Sequence, residues 1–188
     1  VGERGGRTVA GGYDGRLTPP ALEAALVEGL VASGCAVHRV GLGPSPMLYF
    51  AVHHQACDAG VMVTGSHNPP EYNGAKMVLG GKPFFGQDIQ ALGRRIAEGR
   101  FAADEGRVEA RDIRAAYVDR LARDLPDGKP LSIAWDPGNG AAGAVLGLLC
   151  ERLPGRHVLI NEAVDGTFPN HHPDPTVESN LKQLKAIV

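Results

Sequence analysis

Two stretches of this chain run through the same order of patterns: a short apolar strand, an aspartate-led turn, an apolar helix and a returning strand. In the first copy Thr8–Gly12 is the strand, Asp14-Gly15 the turn and Ala36–Leu42 the returning strand. In the second, Leu131–Trp135, the Gly-rich turn Asp136–Gly140 and His157–Ile160 take the same parts, around a helix expected over Ala141–Leu153. The offset from turn aspartate to returning-strand valine is similar, Asp14 to Val37 against Asp136 to Val158. Such units pack helices on a sheet, so the repeat predicts an α/β chain with two domains of related topology. Pro126–Pro130 is the candidate linker between them.

Local signals fill in the first copy. Thr18 is a plausible N-cap with Pro19 at the first helical position. Leu22, Leu26 and Leu30 then recur on one helical face beside Val27 and Val31, and Gly34 ends the helix. A helix over Met47–His54, a strand over Ala59–Val63 and a short strand over Lys76–Leu79 follow. Ile89–Ile96 and Ile113–Leu125 read as amphipathic helices whose alternating charges are solvated faces. Both ends read as cut: Val1 stands almost directly before a strand, and Val188 falls inside a helical pattern begun near Val177. The expectation is a fragment.

Composition narrows the function classes. Aromatics make up 5% of the chain and the formal charge is −2, so neither stacking platforms nor a basic field favours nucleic acid. No apolar run approaches membrane-spanning length and no signal segment opens the chain, so a cytoplasmic protein without membrane contact is expected. The three cysteines, Cys35, Cys57 and Cys150, lack any CxxC pairing and read as buried thiols.

The chemistry concentrates at residues 64–76, TGSHNPPEYNGAK. Gly65 lets the backbone turn after the strand, and Asn68-Pro69-Pro70 blocks a helix beyond it. Ser66 therefore stands on a stiff loop at a strand's C-terminal end, where ligands of open α/β sheets bind. A nucleophile-elbow hydrolase needs glycine where Asn68 stands and a helix to follow, which this loop lacks. From the residues alone, a surface serine on a proline-stiffened turn competes with an activated hydroxyl. The DPGNGAAG run lacks the glycine spacing of the known phosphate cradles and reads as a strand-to-helix entry.

The loop resembles the active-site loop of the α-D-phosphohexomutases, in the bacterial phosphomannomutase/phosphoglucomutase branch. YDGRLTPPALEAALVEGLVASG, VGLGPSPMLYFAV, DPGNGAAG and VDGTFPNHHPDPTVESNL resemble the same family in the same order, so the likeness runs from residue 9 to 184. It implies two related three-layer α/β/α domains with mixed sheets, the second incomplete: residues 1–127 with the serine loop, and residues 128–188 stopping before a metal loop. It implies an intramolecular phosphotransferase that interconverts hexose 1-phosphate and hexose 6-phosphate through a phosphoserine and a hexose 1,6-bisphosphate. Ser66 would carry the phosphoryl group, with Lys76 and His67 as catalytic helpers; a structural role for His67 stands level with a catalytic one. Asn68 would shape the site, as would Asn73 and Gly74. Arg16, in an Asp-x-Arg turn with Asp14, would buttress it, with direct phosphate contact as the alternative. Mg2+ would bind the phosphate on Ser66, and glucose or mannose 1,6-bisphosphate would activate. The adjacent His171 and His172 suggest a metal pair, but neighbours on an extended chain point opposite ways and the family keeps this stretch as an ordered loop. The likeness also implies a hexose phosphate substrate and a monomer or weak dimer.

Several family parts are missing from these 188 residues. There is no Asp-Gly-Asp-Gly-Asp run for the metal, no N-terminal Tyr-Asp-x-Arg-Gly motif, and neither a third-domain sugar loop nor a fourth-domain phosphate loop. The chain alone is therefore expected to be inactive. Phosphoglucosamine mutase and a non-catalytic phosphosugar-binding relic are the alternatives.

Overall fold

The computed structural model describes residues 5–123 and 130–188. In the first part a six-stranded sheet is built from β1 (Thr8–Tyr13), β2 (Ala36–Leu42), β3 (Ala59–Val63), β4 (Ala75–Leu79), β5 (Lys82–Phe84) and β6 (Arg107–Ala110), in the order β5-β4-β3-β1-β2-β6. β1 pairs in parallel with β2 and β3, and β2 with β6, while β4 and β5 run antiparallel, so the sheet is mixed. The helices are α1 (Pro19–Ala32), α2 (Ser45–His54), α3 (Gln87–Ala97) and α4 (Arg114–Ala122).

Strand alternation assigns the two faces. Val9 joins Val27, Cys35, Val37 and Ala59 beneath α1, whereas Ala10 joins Met47, Leu48, Met62, Tyr117 and Val118 beneath α2 and α4. A strand apolar on both faces reads as a continuous buried run, which is why VAGG lies at the centre of the sheet. The antiparallel turn from β3 to β4 matters most for function. Val63 pairs with Ala75 and Met62 with Lys76, so residues 64–74 form one loop whose ends are stapled together and whose exit strand carries Lys76.

The second part is a single β-α-β unit: β7 (Leu131–Trp135), α5 (Gly143–Cys150) and β8 (Gly155–Leu159), with β7 and β8 parallel and in register from Leu131↔Gly155 to Trp135↔Leu159. α5 joins it to the first sheet. Val145 enters the core cluster of Tyr117 and Val118, Leu149 and Leu121 pack against that cluster, and Arg152 pairs with Asp119. Irregular chain follows β8, ending in a 3-10 turn (Glu178–Leu181) and the short α6 (Lys182–Lys185) where one helix from Val177 was expected.

The structure departs from the sequence reading in five further places. β5 and β6 were not foreseen; β6 is a four-residue edge strand with every residue exposed, so no apolar alternation marks it. α5 is shorter than Ala141–Leu153: turn bonds from the Gly140 N–H to Pro137 and from the Arg152 and Leu153 N–H groups to Leu149 and Cys150 flank it. Thr18 stands at the N-cap of α1 without capping it; its hydroxyl accepts a 2.6 Å bond from Asn73 instead. α1 turns Glu23 and Val27 toward the sheet, while Leu22, Leu26 and Leu30 line an apolar groove of about 650 Å3 shared with β3, β4, Phe84 and Leu92. α3 is amphipathic, as its pattern foretold, yet it buries no residue and leaves Ile89, Leu92 and Ile96 exposed. The expected end of α4 at Leu125, the linker and the boundary between residues 127 and 128 fall at residues 124–129, outside the described residues.

Glu23 is fully buried and is held by Arg39, whose Nε and Nη2 donate to both carboxylate oxygens at 2.6–2.9 Å. Arg39 keeps 41% of its side chain in solvent, so it is the partner whose loss strands a buried charge. Arg39→Ala is expected to lower unfolding free energy by about 3 kcal/mol, while the paired change Glu23→Met with Arg39→Leu recovers most of that. Urea unfolding of the three chains checks this; an Arg39→Ala chain as stable as the wild type contradicts it.

Candidate active site

The loop of residues 64–74 is held in place by two groups at the end of β1. The Asp14 carboxylate accepts from the Thr64 hydroxyl at 2.7 Å and from the Gly65 N–H at 3.2 Å. Thr64 in turn accepts from the Ser66 N–H at 2.9 Å, and its own N–H closes the loop neck on the Gly74 carbonyl at 3.0 Å. Arg16 does the rest. Its Nε donates to Asp14 at 3.1 Å, Nη1 to the Pro69 carbonyl, and Nη2 to the carbonyls of Asn68 and Ser66 at 2.7 and 3.0 Å. Its side chain is 1% exposed. A buried charge is tolerable only when it is paired and hydrogen-bonded, and here Asp14 and the loop carbonyls do both.

Those bonds hold an unusual backbone. Ser66 sits at φ +55, a left-handed conformation that costs a side-chain-bearing residue about 1–2 kcal/mol. Gly65 has no room for a side chain: a Cβ there would lie 2.3 Å from the Tyr72 carbonyl oxygen and 2.6 Å from Arg16 Nε. The result is a serine hydroxyl presented outward. Lys76 Nζ donates to Ser66 Oγ at 3.2 Å from the strand that leaves the loop, and His67 Nδ1 lies 3.5 Å away.

The second unit forms the opposite wall. A cavity of about 560 Å3, within the range of metabolite sites, is lined by Asp14, Ser66, His67 and Lys76 on one side and by Asp136, Phe168, His171 and Asp174 on the other. The larger groove over α1 has no titratable group in its lining, so the smaller cavity is the chemical one. The structure places Ser66, His67 and Lys76 together on one wall of this cavity. Arg16 and Asn68 are nearby but outside the lining: Arg16 is the buttress, and Asn68 contributes its backbone carbonyl. Asp174 enters the lining from the His171-His172-Pro173-Asp174 run that suggests metal ligation in the sequence, whereas Phe168, Asp136 and Thr64 were not singled out as site residues, although VDGTFPNHHPDP, DPGNGAAG and TGSHNPPEYNGAK carried them as runs.

His171 bridges rather than ligates. Its Nε2 faces Asp136 Oδ2 at 2.9 Å and its Nδ1 faces the His172 carbonyl at 2.9 Å. Both nitrogens meet acceptors, an arrangement that only a protonated ring satisfies fully. Burial pushes the His171 pKa down, but the His172 carbonyl and the Asp136 carboxylate outweigh it, and the net direction is up from 6.5. Burial also pushes the thiols of Cys35, Cys57 and Cys150 up, in keeping with inert cysteines, all three of them free. No helix among the described residues is long and apolar enough to cross a membrane.

Two linked α/β units enclose a cavity faced by a lysine-paired serine on a stiffened loop. Residues 1–103 match the family model of phosphoglucomutase/phosphomannomutase alpha/beta/alpha domain I, and residues 115–188 match that of domain II. The chain belongs to the phosphoglucomutase/phosphomannomutase family. It is 45% identical over 185 residues to phosphomannomutase/phosphoglucomutase of Pseudomonas aeruginosa and 45% identical over 186 residues to phosphoglucomutase of Neisseria gonorrhoeae, covering 98% of this chain each time. A crystal structure of a phosphoglucomutase/phosphomannomutase family protein from Burkholderia thailandensis superposes with a TM-score of 0.93 at 41% identity, covering 98% of this chain and 42% of that one. The chain spans about 40% of the length of the curated relatives it matches.

Because the folded-state pKa of His171 is raised, its contribution to stability is complete below the unfolded value near 6.5 and is lost as pH rises through the folded value. The gap in urea midpoint between the wild-type chain and His171→Asn is expected to be wider at about pH 5.5 than at about pH 9. Equal gaps at both would rule out a charged His171–Asp136 pair.

Proposed function

We propose that the protein containing this chain is a phosphohexomutase that interconverts hexose 1-phosphate and hexose 6-phosphate, with Ser66 as the phosphoryl carrier. The observation that supports it most is the Ser66 hydroxyl, held outward at a left-handed φ and bonded by Lys76 Nζ at 3.2 Å. In the forward half the Oγ–P bond of phosphoserine breaks as a free hydroxyl of the hexose monophosphate bonds to phosphorus, and the proton of that hydroxyl passes to the freed Ser66 Oγ. In the return half the other phosphoryl group of the resulting hexose 1,6-bisphosphate moves back to Ser66 Oγ. Such transfers have a loose transition state, so what they need from a protein is in-line positioning and balance of spread negative charge. The clamped loop supplies the first. The Lys76 ammonium supplies part of the second, placed to bond the serine oxygen as charge develops on it. His67, close to the same oxygen and lining the cavity, is the second candidate to hold or move a proton there.

Mg2+ belongs to this proposal through the resemblance, with the phosphate on Ser66 as one ligand. Among the described residues no group of three or more His, Cys, Asp or Glu side chains converges to hold a metal ion. These described residues therefore do not make a magnesium site by themselves. Glucose or mannose 1,6-bisphosphate is proposed as the activator because it can load a dephosphorylated serine. Turnover is proposed for the whole protein, of which relatives have more than twice this length.

Mass spectrometry of the intact gene product tests the reading. One phosphate is expected on Ser66, present on isolation or after exposure to glucose 1,6-bisphosphate, and lost on incubation with a hexose monophosphate. Ser66→Ala should carry none, and Lys76→Met should slow the transfer by about a hundredfold or more. A Ser66 that never takes phosphate from the bisphosphate would sink the proposal.

A further inference from the structure

The Arg16 guanidinium is gripped from both units. One edge holds the serine loop, and its face is covered by the ring of Phe168, whose centroid lies 5.2 Å from Arg16 Cζ. Phe168 comes from the second unit, on a turn that is itself firmly held. The Phe168 N–H bonds to the Asp165 carbonyl at 3.0 Å, and Asp165 Oδ1 accepts from both the N–H and the hydroxyl of Thr167. The turn hangs from buried Asn139: the Asp165 N–H donates to the Asn139 carbonyl, and Asn139 Nδ2 donates to the Ala163 carbonyl. Gly166 lies directly on Arg16, since a Cβ at Gly166 would fall 2.7 Å from the Leu17 nitrogen and 2.8 Å from the Arg16 backbone.

Phe168 is held at φ +50, a region that bulky side chains rarely occupy. Such strain persists where the surroundings over-determine it, and here it aims the ring at the guanidinium. The ring's role is specific. Arg16 has one carboxylate and three carbonyls as acceptors, and no water face. The negative face of an aromatic ring stabilises a desolvated cation in a way that an aliphatic plug of equal size does not.

We infer that Phe168 is a positioning residue for Ser66: through Arg16 it transmits the placement of the second unit to the carbonyls of Ser66, Asn68 and Pro69. The inference rests on the phosphoserine reading for its catalytic consequence and on geometry alone for its structural one. The serine loop is then not a property of the first unit by itself. Contact between the units sets it, and small misplacements of a reacting oxygen are costly in rate.

The test uses the intact gene product with Phe168→Leu, which keeps the apolar bulk and removes the ring, and Phe168→Tyr, which keeps the ring. Phe168→Leu is expected to lower kcat for hexose phosphate turnover by about tenfold with KM nearly unchanged, and Phe168→Tyr to restore most of it. Hydrogen exchange, read in parallel, should show faster exchange of the Gly65, Ser66 and Asn68 amides in Phe168→Leu only. Wild-type kcat and exchange in Phe168→Leu overturn the inference. So does an equal loss in both variants that merely follows their melting temperatures. Should the wild type never carry phosphate on Ser66, the phosphoserine reading fails, and the exchange of the three loop amides still decides whether the latch exists.

Discussion

The guanidinium of Arg16 is a full charge placed in the interior, and its need for acceptors organises what surrounds it. A lone buried cation is costly enough that a fold must either surround it with acceptors or give it up. Here the acceptors are the Asp14 carboxylate and the carbonyls of Ser66, Asn68 and Pro69, drawn from a loop some fifty residues away. The same bonds that satisfy the charge therefore fix the loop, and Asp14, shared with the Thr64 hydroxyl and the Gly65 N–H, couples the ends of β1 and β3. Left-handed backbone at Ser66 is affordable because so many contacts determine it together.

From this follows a division of labour. The first sheet supplies the serine, its lysine and the buttress; the second unit supplies the far wall and the ring that covers the guanidinium. α5 packing on α4 and the Phe168 turn pressing on Arg16 give the two units separate points of attachment. A cavity built between units can enclose a small ligand between two separately held walls, a frequent location for metabolite sites. The His171–Asp136 bridge ties the second wall together.

Much of the fold was legible because apolar periodicity is a local property. β1, β2, β3, α2 and β7 were read within a few residues of their observed bounds, since each is a largely apolar run ended by a turn. β6 was invisible for the same reason: RVEA is exposed along its length and is a strand only because β2 offers a free edge. The face of α1 was misjudged because the helix is apolar nearly all round. Which stripe meets the sheet depends on the buried Glu23–Arg39 pair, and that is a tertiary contact.

The sequence by itself singled out the serine loop. A glycine, a serine and two prolines after a β-branched strand require a stiff exposed loop, and the run as a whole identifies the family. It also determined that Lys76 leaves that loop on a strand, because its spacing from Ser66 is short. Only the tertiary structure decided that Arg16 bonds the loop carbonyls from outside the cavity lining, and that Phe168 reaches that lining. Those roles arise from approaches between residues about fifty and one hundred and fifty positions apart, and local pattern carries no information on such approaches until a buried charge must find its partners.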